Sequence, residues 1–239
     1  MPMHDWTRAE GGYHHFHGAW LYSIADYLNG GGLPPGYSAL AETAVPPFVP
    51  DVVAVRTPSA SPAVGLATLP GVQFVESAKR DTASRPRRHL AIRHAASRRV
   101  VAIIELVSPG NKERRPNLRA FVEKVIAFLW NGIHVLVIDP FPPTPRDPHG
   151  LHAVFWRSLA RRRFVPPGDK PLGAAVYVSG EEWRTFAEAF AVGDALPTMP
   201  LFLGPDTWVA LPLEATYMAA WAKYPSPYRE LVEGSAHSE

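Results

Sequence analysis

The chain has no cysteine among its 239 residues. That excludes a disulfide framework, a thiolate metal centre and a cysteine nucleophile. It also lacks any apolar run of about 18 residues, the length a membrane-crossing helix needs. The opening stretch MPMHDWTRAE has none of the basic-then-apolar layout of a secretory leader. The expectation is therefore a cytoplasmic protein with no membrane partner. Glycine is scarce relative to proline, 18 residues against 26. The prolines cluster at positions 46–47, 140–148, 166–167 and 197–212. Such clusters interrupt helices, and they argue for a mixed fold with stiff loops over a helical bundle.

Net charge is also small, +2, but it is unevenly distributed. Positions 79–124 hold 13 Lys/Arg against 4 Asp/Glu, a local excess of +9. A basic middle attracts a polyanion such as DNA, and Arg98, Arg99, Arg114, Arg115 and Arg119 are its candidate contacts. The plainer alternative is a solvated hairpin face with a loop.

Hydrophobic spacing sets the expected elements. Trp20, Leu21, Ile24 and Leu28 mark a short amphipathic helix at 17–28, ended by Asn29-Gly30-Gly31-Gly32. Strands are expected at 37–44 and 51–57, then a long loop or irregular strand at 58–87. Positions 89–94 and 99–107 read as an antiparallel hairpin. Pro116 opens a helix whose apolar face is Leu118, Phe121, Val122, Val125, Ile126 and Leu129, and Gly132 ends it. HVLVID at 134–139 is a buried strand, so strand, helix and strand make a parallel crossover. Further on, 151–163 and 212–221 look helical and 174–178 extended. Positions 183–192 fit either state, and 224–239 read as a fraying polar tail. The fold class is α/β, with a mixed central sheet flanked by helices.

The most informative stretch is VVAIIELVSPGNK at 100–112. An almost continuous β-branched run is the pattern of a strand buried on both faces. A carboxylate on such a strand, Glu105, is costly unless a metal, a cation or hydrogen bonds compensate it. Asp51 poses the same problem at the head of DVVAV. Two strand-borne acids on one face make oxygen ligands for Mg²⁺ or Mn²⁺, and Lys124, at the edge of a helical apolar face, is placed to reach Glu105. Alternatives stand beside each: a turn cap at Asp51, an arginine partner for Glu105, a snorkelling Lys124. Ser108 either fixes the turn or hydrogen-bonds Glu105. His4, His14, His15 and His17 fit aromatic packing with Trp6, Tyr13 and Phe16 better than a transition-metal site.

Pro50-Asp51, then ELVSPGNK at 105–112, then Lys124, Gly132 and Val137-Ile138-Asp139-Pro140, resembles the PD-(D/E)XK nuclease superfamily. The stretch is most similar to a bacterial family designated domain of unknown function 4058. The resemblance covers about 37–140 and is echoed at 196–201. It implies a restriction-endonuclease-like core over 1–140 with an N-terminal helix, and a C-terminal α+β extension over 141–239 packed on it in one continuous domain. It implies that Asp51 and Glu105 are metal ligands. Val107 stands where the superfamily usually has its lysine, and Lys124, eight residues before Gly132, takes the migrated position. Lys112 competes for that role, Glu42 adds a possible metal or water contact, and Ser108 and Asn111 are auxiliary candidates. The implied activity is metal-dependent phosphodiester cleavage of DNA. The competing expectation is a non-catalytic binding or scaffold protein that keeps the fold, favoured by the displaced lysine and the proline-rich C-terminal half.

Overall fold

A computed structural model describes residues 3–8, 12–41, 52–56, 71–79 and 99–233. Helix α1 (Gly12–Tyr27) starts five residues earlier than the apolar spacing alone indicates, because Tyr13 and Phe16 join its buried face. It runs into a wider π-type turn at Leu28–Gly32, where Gly31 takes φ 121°, a conformation only glycine adopts without strain. Asn29 then bonds to both the N–H and the C=O of Ala39, each at 2.9 Å, and so ties the turn to the first strand.

The strands are β1 (Tyr37–Ala41), β2 (Val52–Arg56), β3 (Phe74–Lys79) and β4 (Arg99–Leu106). The short helix α2 (Pro109–Glu113), helix α3 (Arg115–Trp130), strand β5 (His134–Asp139) and helix α4 (Gly150–Ala160) follow. The C-terminal part adds β6 (Leu172–Val178), β7 (Glu182–Phe190), β8 (Thr198–Gly204), β9 (Thr207–Pro212), α5 (Leu213–Lys223) and α6 (Ser226–Glu233). One sheet of seven strands has the order β1-β2-β4-β5-β6-β7-β3. Among the described residues, only β4 and β5 pair in parallel; α3 makes the crossover the apolar spacing predicts. The C-terminal part therefore does more than pack on the core. Its β6 and β7 extend the central sheet beyond β5, and β3 pairs with β7 as the outer strand.

Alternation along β4 and β5 sends side chains to two cores. Ile104, Leu106, Leu136 and Ile138 face α1, α5 and the β8–β9 hairpin, around Phe16, Trp20, Tyr217 and Trp221. Ile103, Val107, Val135 and Val137 face α3 and α4, around Phe121, Val125, Phe155 and Trp156. Helix α3 ends where Gly132 takes φ 81°, while Ile133 N–H donates back to Phe128 O at 3.0 Å.

Some expectations resolve and others need correction. The open choice at 183–192 resolves to strand β7 (Glu182–Phe190), and the expected loop or irregular strand at 58–87 contains β3. Part of the expected polar tail is helix α6, held by Val232, which is 2% exposed. Helix α4 stops at Ala160, not at position 163, because Arg161 turns into the left-handed region at φ 56°. The N-terminal aromatic expectation agrees with the packing: His4 stacks on Trp221, and Trp6 lies against Tyr13 and Phe16. The hairpin partner expected at 89–94 lies outside the described residues.

Candidate functional site

Glu105 is the last but one residue of β4, and Lys124 lies in the middle of α3. The β4–α3 crossover folds the helix back over the strand it has just left. The Lys124 ammonium consequently donates to Glu105 Oε2 at 2.7 Å. The carboxylate side chain is 2% exposed and the lysine 20% exposed, so the pair forms one partly wetted edge of the α3 core. The Lys124 Nζ also sits 5.1 Å from the centre of the Phe121 ring, on its own helix. Lys124 is thus one compensating cation of the kind a buried strand acid requires.

Across the sheet, Val52 of β2 pairs with Ile104, the residue before Glu105. Asp51 precedes Val52 in the chain and lies outside the described residues, as do Glu42 and Arg98. Arg99 opens β4, its backbone opposite Arg56. Arg114, Arg115 and Arg119 are exposed around the start of α3. Arg119 pairs with Glu123 at 2.8 Å, and Arg114 approaches Glu113 at 3.8 Å.

Lys112, the competing candidate for the lysine role, lies in a second buried cluster. It is 3% exposed and is held in a network of its own. Its Nζ donates to Asp139 Oδ2 at 3.0 Å, to Phe141 O at 3.2 Å and to Pro142 O at 3.0 Å. It also makes an ion pair with Asp147 Oδ2 at 2.8 Å, although that oxygen lies off the line of a hydrogen bond. An ammonium with those partners has no capacity left for a substrate. Ser108 fixes the turn: its N–H and its hydroxyl both donate to Asn111 Oδ1, at 2.8 and 2.9 Å. Both residues therefore hold the β4–α2 corner. This is the turn-fixing alternative for Ser108.

Asp139, Asp147, His152 and Tyr177 were not among the sequence candidates. Asp139 carries the same signal that singles out Glu105, an acid at the end of a buried apolar strand. Val137 of β5 is opposite Glu105, and both acids alternate with residues of the α1 core. They therefore project from the α3–α4 face, their α-carbons roughly 8 Å apart by strand spacing and rise. Burial pushes the Asp139 carboxyl up to about 6, against the lowering pull of Lys112. Tyr177 on β6 is raised well above its usual value by burial first and by Asp139 second. His152 on α4 meets the Tyr177 hydroxyl through Nδ1 at 2.8 Å, and burial lowers its pKa to about 4, so it is neutral.

Among the described residues, no three His, Asp or Glu side chains gather as a metal-ligand set, so of the expected ligand pair they contain Glu105 alone. A carboxylate oxygen is the donor type that hard divalent cations prefer. Among the described residues, no helix is long and apolar enough to cross a membrane. Comparison with known proteins finds no matching family model, no matching curated protein and no matching solved structure.

Proposed function

We propose that the chain is a Mg²⁺- or Mn²⁺-dependent phosphodiesterase acting on DNA, with a restriction-endonuclease-like core. One observation carries the reading: Lys124 Nζ stands 2.7 Å from Glu105 Oε2 at the end of a buried strand. An acid from a strand and a lysine from the following helix are the partners that the resemblance pairs in this site. A mixed sheet with helices on both faces is compatible with such a core. Glu105 and Asp51 would hold the ion; Val52, the neighbour of Asp51, pairs beside Glu105.

When bound, the ion supplies positive charge against the phosphate. Glu105 fixes the ion's position from a rigid strand. Lys124 swings its ammonium from the carboxylate towards the phosphate oxygens and stabilises their developing charge. It is 20% exposed, which leaves that path open to solvent. The exposed Arg114 and Arg115 add attraction for the backbone.

A second reading rests on a separate fact: Glu105 is already neutralised and 2% exposed. On that reading the pair is structural and the chain is a binding or scaffold protein. The test is cleavage of supercoiled and branched DNA with Mg²⁺ or Mn²⁺, comparing the native chain with Glu105→Gln, Lys124→Met and Asp51→Asn. Phosphodiesterase chemistry predicts metal-dependent nicking that each variant lowers at least about a hundredfold, as loss of charge stabilisation does. It also predicts Mn²⁺ binding by calorimetry that disappears in Asp51→Asn. Absence of Mn²⁺ binding at millimolar concentration, with no nicking, assigns the pair to structure.

A further inference from the structure

Beside α4 runs a groove of about 280 Å³, lined by His149, Ala153, Val154, Arg157, Arg163 and Phe164 among others. Arg157 closes the last turn of the helix, and Arg163 belongs to the segment that returns along it. The left-handed turn at Arg161 separates the arginines that follow. Arg162 goes to the sheet edge and donates to Ser77 O of β3 at 3.2 Å, while Arg163 goes to the groove. Neither Arg157 nor Arg163 meets a carboxylate among the described residues. Asp147, which also lines the groove, is 0% exposed and held by Lys112. The open charge of the groove is therefore positive.

His149, Gly150 and Phe164 are shared with a second, inner cavity of about 40 Å³ between α4 and β5–β7. Its walls include Leu151, Pro166, Leu172 and Ala175, with His149, His152, Tyr177, Asp139 and Glu188 as polar members. The His152 Nε2 atom is buried and has no hydrogen-bond partner, while Nδ1 is occupied by Tyr177. Phe164 meets the His152 ring edge-on at 4.5 Å and forms the wall between the two spaces.

We infer that the outer groove binds a small organic phosphate, with the phosphate between Arg157 and Arg163 and a flat end against Phe164 and Val154. Two guanidinium groups match phosphate oxygens in bidentate geometry, which an ammonium does not. Ala153, Val154 and Phe164 give the outer groove an apolar wall for a planar ring, and its volume approaches the lower end of small-ligand pockets. A nucleoside monophosphate has the required layout. The pocket stands independently of the phosphodiesterase reading, since it uses neither Glu105 nor Lys124.

The test is calorimetric titration of the full chain with adenosine monophosphate, inorganic phosphate and adenosine. The expected result is saturable binding of the monophosphate, at least about tenfold weaker binding of inorganic phosphate, and none of the nucleoside. Arg157→Lys retains a cation in the last turn of α4 but removes the fork, and Arg163→Gln removes a surface charge. Each is expected to weaken the monophosphate at least about tenfold with an unchanged thermal midpoint. Equal affinity for both phosphates, affinity unchanged in the arginine variants, or no saturable binding at millimolar ligand would each overturn the inference.

Discussion

Lys112 holds one positive charge between two buried carboxylates and two carbonyls, where the ends of β4 and β5 meet α2. Its removal leaves Asp139 and Asp147 facing each other with no cation, and that loss is more costly than the pair is worth. Lys112→Met is expected to lower the unfolding free energy by about 3–5 kcal/mol, read as a fall in the urea midpoint. A change below about 1 kcal/mol, the range of surface pairs, would show that the network is hydrated. The same residue marks where sequence reasoning runs out. Lys124 was readable because a helix wheel places it against a strand only 19 positions back. The acid that holds Lys112 lies 27 positions ahead, beyond a whole helix, and no local spacing reports it.

At the scale of elements, what was legible follows the same rule. The crossover through α3 was readable because its helix has a continuous apolar face and its strands are β-branched runs. Strand β7 was not: EWRTFAEAF is buried along most of its length, and no clean alternation of two survives. Nor was the hairpin of β8 and β9, since Pro200 sits within a strand and disguises it. The packing of α1 on α5 was half readable, as an aromatic stripe without its partner. Phe16 is 0% exposed and contacts Trp6, Trp20, Tyr217, Trp221 and Tyr224. Phe16→Ala is therefore expected to cost about 3–5 kcal/mol, as large-to-small core changes do. Differential scanning calorimetry would show it, and a loss under about 1 kcal/mol would mean that α1 does not carry this core.

For the whole molecule, buried histidines set the response to acid. His134 is 3% exposed and accepts the Ser179 N–H at 3.0 Å through Nδ1, so its neutral form is fixed. Burial, and secondarily Arg184, lowers its pKa to about 4, and burial does the same to His152. His4 is lowered too, by burial first. Depressed histidines are protonated more readily after unfolding, so stability is lost as pH falls from about 6.5 to 4. For His134 this amounts to roughly 3 kcal/mol. Asp139, raised to about 6, works the other way: folding favours its neutral form, and its stabilisation fades as pH rises from about 4 to 6. Glu188, also raised by burial, acts with Asp139, but the three histidines outnumber the two acids, so the urea midpoint is expected to drop between pH 6.5 and 4.5. A midpoint rising over that interval would contradict the buried neutral imidazoles. The pairing of α1 with α5 has a further consequence during synthesis. The first long helix emerges from the ribosome with Phe16 and Trp20 ready to be covered, yet Tyr217 and Trp221 come some two hundred residues later. At about 5–20 residues per second, that sticky surface waits roughly 10–40 s in the open, long enough for a chaperone to find it before its own chain does.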